Sequence, residues 1–159
     1  MNQADIKENV RKVVEEYFRP TEDMTLFSAI QLARKVKEKA LEMGVNAVIA
    51  ITNKGGNPVL VECMDNSYIA SYDIAFNKAY TVVALKMSTK KLAKLASPNG
   101  SLYGIQFTNG GRIVIFGGGE PLENKKGQII GGVGISGGSE EQDTALAAFA
   151  KETFEKGVN

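Results

Sequence analysis

Residues 46–52 read NAVIAIT, residues 53–57 read NKGGN, and residues 58–65 read PVLVECMD. Two short runs rich in β-branched residues flank a stretch of Asn, Lys and Gly, which is the pattern of a β-hairpin. Pro58 fits the first residue of the second strand, where its missing N–H does least harm. Just upstream the period is helical. Ile30, Ala33, Val36, Ala40 and Met43 recur at helical steps and predict the buried stripe of a helix over residues 25–43, with Thr25 as N-cap and Gly44 just past its end. Further upstream, residues 3–18 predict a separate amphipathic helix. Ile6, Val10, Val13, Val14 and Tyr17 share one face, while Lys7, Glu8, Arg11, Lys12, Glu15 and Glu16 fill much of the rest. Pro20 ends this helix, and residues 19–23 read as a linker.

Downstream of the hairpin, residues 70–86 (ASYDIAFNKAYTVVALK) predict a long helix and residues 89–95 a short one, broken by Ser97-Pro98-Asn99-Gly100. Residues 107–111 form a turn-bearing stretch. Residues 112–116 (RIVIF) and 128–136 (QIIGGVGIS) read as strands, with GGGEPLENKKG between them as a Gly-rich loop. Ser139 and Gln142 match a capping box that opens a final helix carrying Ala145, Leu146, Phe149 and Phe154. Hairpins outnumber parallel crossovers. The chain therefore predicts an α+β fold, an antiparallel sheet covered by helices, over residues 24–159, preceded by a helix-and-linker unit at residues 1–20.

Composition narrows the chemistry. The 159 residues contain no histidine and a single cysteine. Without histidine there is no His-based zinc site, no Ser-His-Asp or Cys-His nucleophile and no His-ligated haem, and one cysteine makes neither an internal disulfide nor a thiolate zinc site. No metal-ligand set is therefore expected. The net charge of +1 carries no concentrated basic surface, so nucleic-acid binding is not expected. No run approaches the roughly 20 apolar residues of a membrane helix, and the first residues lack a signal-peptide core, so a cytoplasmic protein without membrane contact is expected.

Several motifs have both a chemical and a plain reading. Gly132, Gly134 and Gly137 spell GxGxxG between a strand and a helix. No second parallel strand follows with its acidic residue, so a dinucleotide site is disfavoured. Gly137 and Gly138 precede a helix N-terminus and could hold an anion, although Glu140 and Glu141 already supply negative charge there. Cys63-Met64-Asp65 offers soft donors beside a carboxylate, but a lone cysteine on a strand is more simply a small buried hydrophobe. Lys78 lies among apolar residues, five positions from Asp73, and needs either an acceptor or an outward path.

The stretches GGNPVLVECMD, SYDIAFNKAYTVVALK, NGGRIVIFGGGEPL and IIGGVGISGGSEEQD together resemble one family, the GlcG/HbpS-like or haem-degrading domain family. That family includes the C-terminal domain of PduO-type corrinoid adenosyltransferases. The resemblance runs from about Thr25 to the C-terminus. It implies a profilin-like, three-layer α/β/α fold with an antiparallel sheet of about five strands. It also implies homo-oligomers, and haem or corrinoid as the cofactor in some relatives. The histidine that haem-holding relatives commonly use has no counterpart here, and no stretch of these 159 residues resembles the adenosyltransferases' ATP-binding domain, so adenosyl transfer by this chain alone is not expected. The N-terminal helix resembles the encapsulation peptides of bacterial microcompartment cargo, which implies a shell protein as partner through residues 3–18 and the compartment lumen as location.

Three functions follow as expectations: a tetrapyrrole-binding accessory protein, an enzyme acting on a small carboxylate or aldehyde, and a structural cargo protein without a ligand. The residues expected to line a shared pocket or its interface are Asp65, Asp73, Lys78, Gly118, Gly137, Gly138, Glu141 and Asp143.

Overall fold

The computed structural model describes residues 3–17 and 22–157. In chain order the elements are α1 (Gln3–Tyr17), α2 (Leu26–Glu42), β1 (Val48–Asn53), β2 (Pro58–Cys63), α3 (Ile69–Leu85), α4 (Thr89–Ala96), β3 (Gly119–Glu123), β4 (Ile129–Ser136) and α5 (Glu140–Lys156). The strands form one antiparallel sheet in the order β2-β1-β4-β3.

The alternation of β1 decides which helix covers which face. Ile49 and Ile51 point to a core shared with Ala33 and Val36 of α2 and Leu146 and Ala147 of α5. Val48 and Ala50 point the other way, onto Ala75 and Ala79 of α3. Strand β4 follows the same period of two. Its large residues Val133 and Ile135 join the α2/α5 side. Its small residues Gly132 and Gly134 lie under α3, where an added Cβ on Gly134 would stand 2.0 Å from the Ala75 carbonyl oxygen. Small residues on one face and large ones on the other let α3 sit close to the sheet while the opposite face carries the main core. Each fully buried Ile, Leu or Val there contributes about 1.5–3 kcal/mol.

The helix ends are set by side chains. Thr25 caps α2 by accepting the Ser28 N–H at 3.1 Å. Ser139 and Gln142 form the reciprocal capping box of α5, with bonds of 3.2 and 2.9 Å, a device contributing about 1 kcal/mol.

Several expectations are corrected. Among the described residues the sheet has four strands, where about five were expected. Residues 112–116 form no strand: Val114 N–H donates to Thr81 Oγ1 at 3.0 Å, so this segment follows α3 instead of a neighbouring strand. The Gly-rich stretch read as a loop instead contains β3, an edge strand, which tolerates Pro121. Ile30 and Ala145 are exposed, and Ala29 and Leu32 take the buried positions on α2 beside Ala33 and Val36. Cys63 is exposed at the end of β2 and is no core hydrophobe. The glycines of the GxGxxG motif serve close packing in an antiparallel sheet, which lacks the parallel crossover of a dinucleotide site.

Helix α1 forms as expected, and Ile6, Val10 and Val13 are exposed. The expected stop at Pro20 and most of the linker lie outside the described residues. Among the described residues no helix is long and apolar enough to cross a membrane.

Candidate functional site

The N-terminal ends of α3 and α5 lie near the end of β4, and the segment around Phe116 closes a cleft between them of about 480 Å³. This volume lies within the roughly 300–1,000 Å³ of typical small-molecule sites. The wall combines Tyr68, Ala70, Ser71 and Ile74 from the start of α3, Phe116, and Ser136, Gly137, Gly138, Glu140 and Asp143 from the β4–α5 turn.

A buried ion pair lies behind the wall, reaching it through Asp143. Lys78, with 0% of its side chain exposed, donates from Nζ to Asp143 Oδ2 at 3.0 Å and to the Ile135 carbonyl oxygen at 2.7 Å. The Phe116 ring covers the ammonium, 4.9 Å from Nζ to its centroid. The other Asp143 oxygen accepts the Gly138 N–H at 2.9 Å. One carboxylate therefore joins the lysine to the turn that shapes the cleft. Burial pulls the Lys78 pKa below the ordinary lysine value, against the attraction of Asp143. Gly118 completes the packing: at φ +110 it passes so close that an added Cβ would lie 2.6 Å from Lys78 Nζ. Around this pair, Gly117 N–H donates to Glu140 Oε1 at 2.8 Å, and the hydroxyls of Ser136 and Ser71 lie 3.0 Å apart.

Of the residues singled out from the sequence, Gly137, Gly138 and Asp143 line the cleft, and Lys78 and Gly118 pack behind Asp143. Asp65 sits in an exposed turn, Asp73 is exposed on α3, and Glu141 is exposed on the first turn of α5. None of these three lines the cleft. Hydrogen bonds from its own backbone N–H and from Ser139 hold the Glu141 carboxyl below its ordinary value. Lys78 pairs with Asp143 and not with Asp73, its nearest acidic neighbour in sequence. Sequence reasoning missed Tyr68, Ala70, Ser71, Ile74, Phe116, Ser136 and Glu140. Their only local signal is position, at the starts of two helices, at the end of β4 and in the segment before β3. Among the described residues no group of three or more Cys, Asp or Glu side chains could hold a metal ion.

Comparison with known proteins places this architecture. Residues 24–152 match the family described as haem degrading protein HbpS-like. A 15.0 kDa protein in the dhaT–dhaS intergenic region of Citrobacter freundii is 45% identical over 82% of this chain and 92% of its own length. The corrinoid adenosyltransferase PduO of the same organism is 34% identical over 92% of this chain, but the match spans only 48% of that protein. A solved PduOC–haem complex is 35% identical with a TM-score of 0.78, covering 82% of this chain and 94% of that one. The chain belongs to the HbpS-like haem-degrading protein family.

Proposed function

We propose that this chain is a tetrapyrrole-binding accessory protein that takes haem or a corrinoid in the cleft above the Lys78–Asp143 pair. The observation that carries the reading is the cleft's wall chemistry. Ile74, Ala70 and Phe116 offer apolar and aromatic surface to a flat macrocycle, and Gly137 and Gly138 let backbone approach it. Haem iron is commonly held by His, Cys, Met or Tyr. The wall contains one such side chain, Tyr68, which is 73% exposed. Cys63 lies outside the wall, and Met64 packs against the main core. Lys78 already donates to two acceptors. Tyr68 would thus be the side chain to hold the metal in place of the missing histidine. The bound group would supply its metal's redox and ligand-binding chemistry, while the chain excludes water and fixes orientation. The solved PduOC–haem complex supports this reading.

The test is an absorbance titration of purified protein with haem and, separately, with cobalamin. Saturable uptake of one of them is expected. Tyr68→Phe should change the band positions and weaken uptake at least as much as the roughly 10–100-fold typical of changes around metal sites. The exposure of Tyr68 leaves Tm unchanged. Uptake of neither tetrapyrrole overturns the proposal.

A second reading concerns assembly. The exposed Ile6, Val10 and Val13 give α1 an apolar stripe suited to a groove on another protein, and a microcompartment shell protein fits the pattern. Deleting residues 1–20 should abolish co-localisation with shells while the remaining domain keeps its Tm within a few degrees. A truncated domain that unfolds would show that α1 belongs to the core.

A further inference from the structure

Arg112 lies outside the wall of the cleft. Its guanidinium stacks on Tyr80 of α3, with Cζ 3.6 Å from the ring centroid, and lies 5.2 Å from the Phe76 ring. Arg112 Nε–H donates to Asn77 Oδ1 at 3.4 Å. Tyr80 is held in turn, its hydroxyl donating to Asn109 Oδ1 at 3.2 Å. The backbone around Arg112 is fixed by Thr81, whose hydroxyl donates to the Asn77 carbonyl oxygen at 2.7 Å, lies 3.3 Å from the Arg112 carbonyl oxygen and accepts the Val114 N–H at 3.0 Å. Ring, stem and backbone are therefore all positioned before any ligand arrives.

Among the described residues no carboxylate pairs with Arg112, and of its guanidinium nitrogens only Nε has a hydrogen-bond partner. Stacking occupies the face of the guanidinium and leaves its in-plane Nη donors open, the geometry for two-pronged contact with a carboxylate or phosphate. Because the side chain is already ordered, binding forfeits little rotamer freedom. We propose that Arg112, stacked on Tyr80, is an anion-binding site for a carboxylate or phosphate group, separate from the cleft and independent of the tetrapyrrole reading. The anion can come from a small molecule or from a carboxylate on a second copy of this chain.

The experiment follows the Arg112 Nε–Hε resonance of the full chain by NMR, with exposed Arg34 of α2 as the internal control. Inorganic phosphate and acetate are titrated separately, and protein concentration is then varied in buffer free of both. If the anion is a small molecule, the Arg112 signal saturates with phosphate or acetate while Arg34 drifts without saturating. Arg112→Lys, which keeps the charge and loses the fork, then weakens the apparent affinity roughly tenfold. If the anion belongs to a second copy, the Arg112 signal moves with protein concentration, and Arg112→Gln lowers the mass found by sedimentation. An Arg112 signal that tracks Arg34 in every titration overturns the proposal.

Discussion

Asp143→Ala is expected to destabilise the fold by about 3–5 kcal/mol, a large share of the roughly 5–15 kcal/mol available to a domain. The loss has two sources. Lys78 Nζ would keep the Ile135 carbonyl oxygen and the weaker attraction of Glu140 but lose its paired carboxylate, and the Gly138 N–H would lose its acceptor. An ammonium buried without a counter-ion escapes by giving up its proton. Deprotonating a lysine of ordinary pKa about 10.4 at pH 7 costs about 4–5 kcal/mol, which caps this part of the penalty. The sign of the pH dependence follows. Burial already lowers the Lys78 pKa in the folded chain, so between the folded and unfolded values the unfolded state holds more protons and stability rises with pH. The deficit of Asp143→Ala should therefore shrink as pH climbs toward about 10, once the unfolded lysine also loses its proton. Urea unfolding at several pH values measures this. The double variant Lys78→Met, Asp143→Asn removes both charges and keeps an acceptor for Gly138, so it should recover much of the loss. A deficit that ignores pH would mean the lysine reaches water.

Gly134→Ala is the second large effect. The added Cβ would lie 2.0 Å from the Ala75 carbonyl oxygen, 2.6 Å from the Ala79 nitrogen and 2.9 Å from Lys78 Cβ. Two of those neighbours are helix backbone, which cannot swing aside as a side chain can. Helix α3 would have to lift from β4, opening the packing of Val48 and Ala50 against Ala75 and Ala79. The cost should exceed the usual range of about 1–3 kcal/mol for overpacking, and the variant should fail to fold or show a collapsed Tm. Gly127→Ala is the control. Nothing lies within 4 Å of its added Cβ, so only its φ of +73 is strained, and the loss should stay near 1 kcal/mol. Equal effects of the two substitutions would contradict the close approach of α3 to the sheet.

Much of this architecture was legible in the sequence, and the failures have physical causes. Helices α2 and α5 announce themselves through Thr25, Gly44 and the Ser139–Gln142 box, because capping chemistry is local. The hairpin of β1 and β2 is equally local. Strand β3 was hidden because GEPLE carries Gly, Pro and two Glu, residues that an edge strand tolerates and a propensity argument rejects. RIVIF misled for the converse reason. Its β-branched run packs along α3, and its hydrogen bond to Thr81 Oγ1 is invisible to periodicity. In the cleft, Lys78 and Asp143 were recognised as residue types, but 65 positions separate them and only the fold pairs them. Tyr68 and Phe116 carry no motif at all; their place in the wall comes from the meeting of α3, β4 and α5.

The central claim is that the cleft above the ion pair receives the tetrapyrrole. Ala70 lines the cleft and is itself exposed, so Ala70→Trp fills the space without disturbing the core. The decisive measurement is the haem absorbance titration of Ala70→Trp beside the unsubstituted chain, with Tm recorded for both. The account predicts equal Tm values and haem uptake weakened at least roughly tenfold, as expected when an indole occupies a ligand's volume. Unchanged uptake by the blocked protein would contradict it and place any tetrapyrrole elsewhere on the surface.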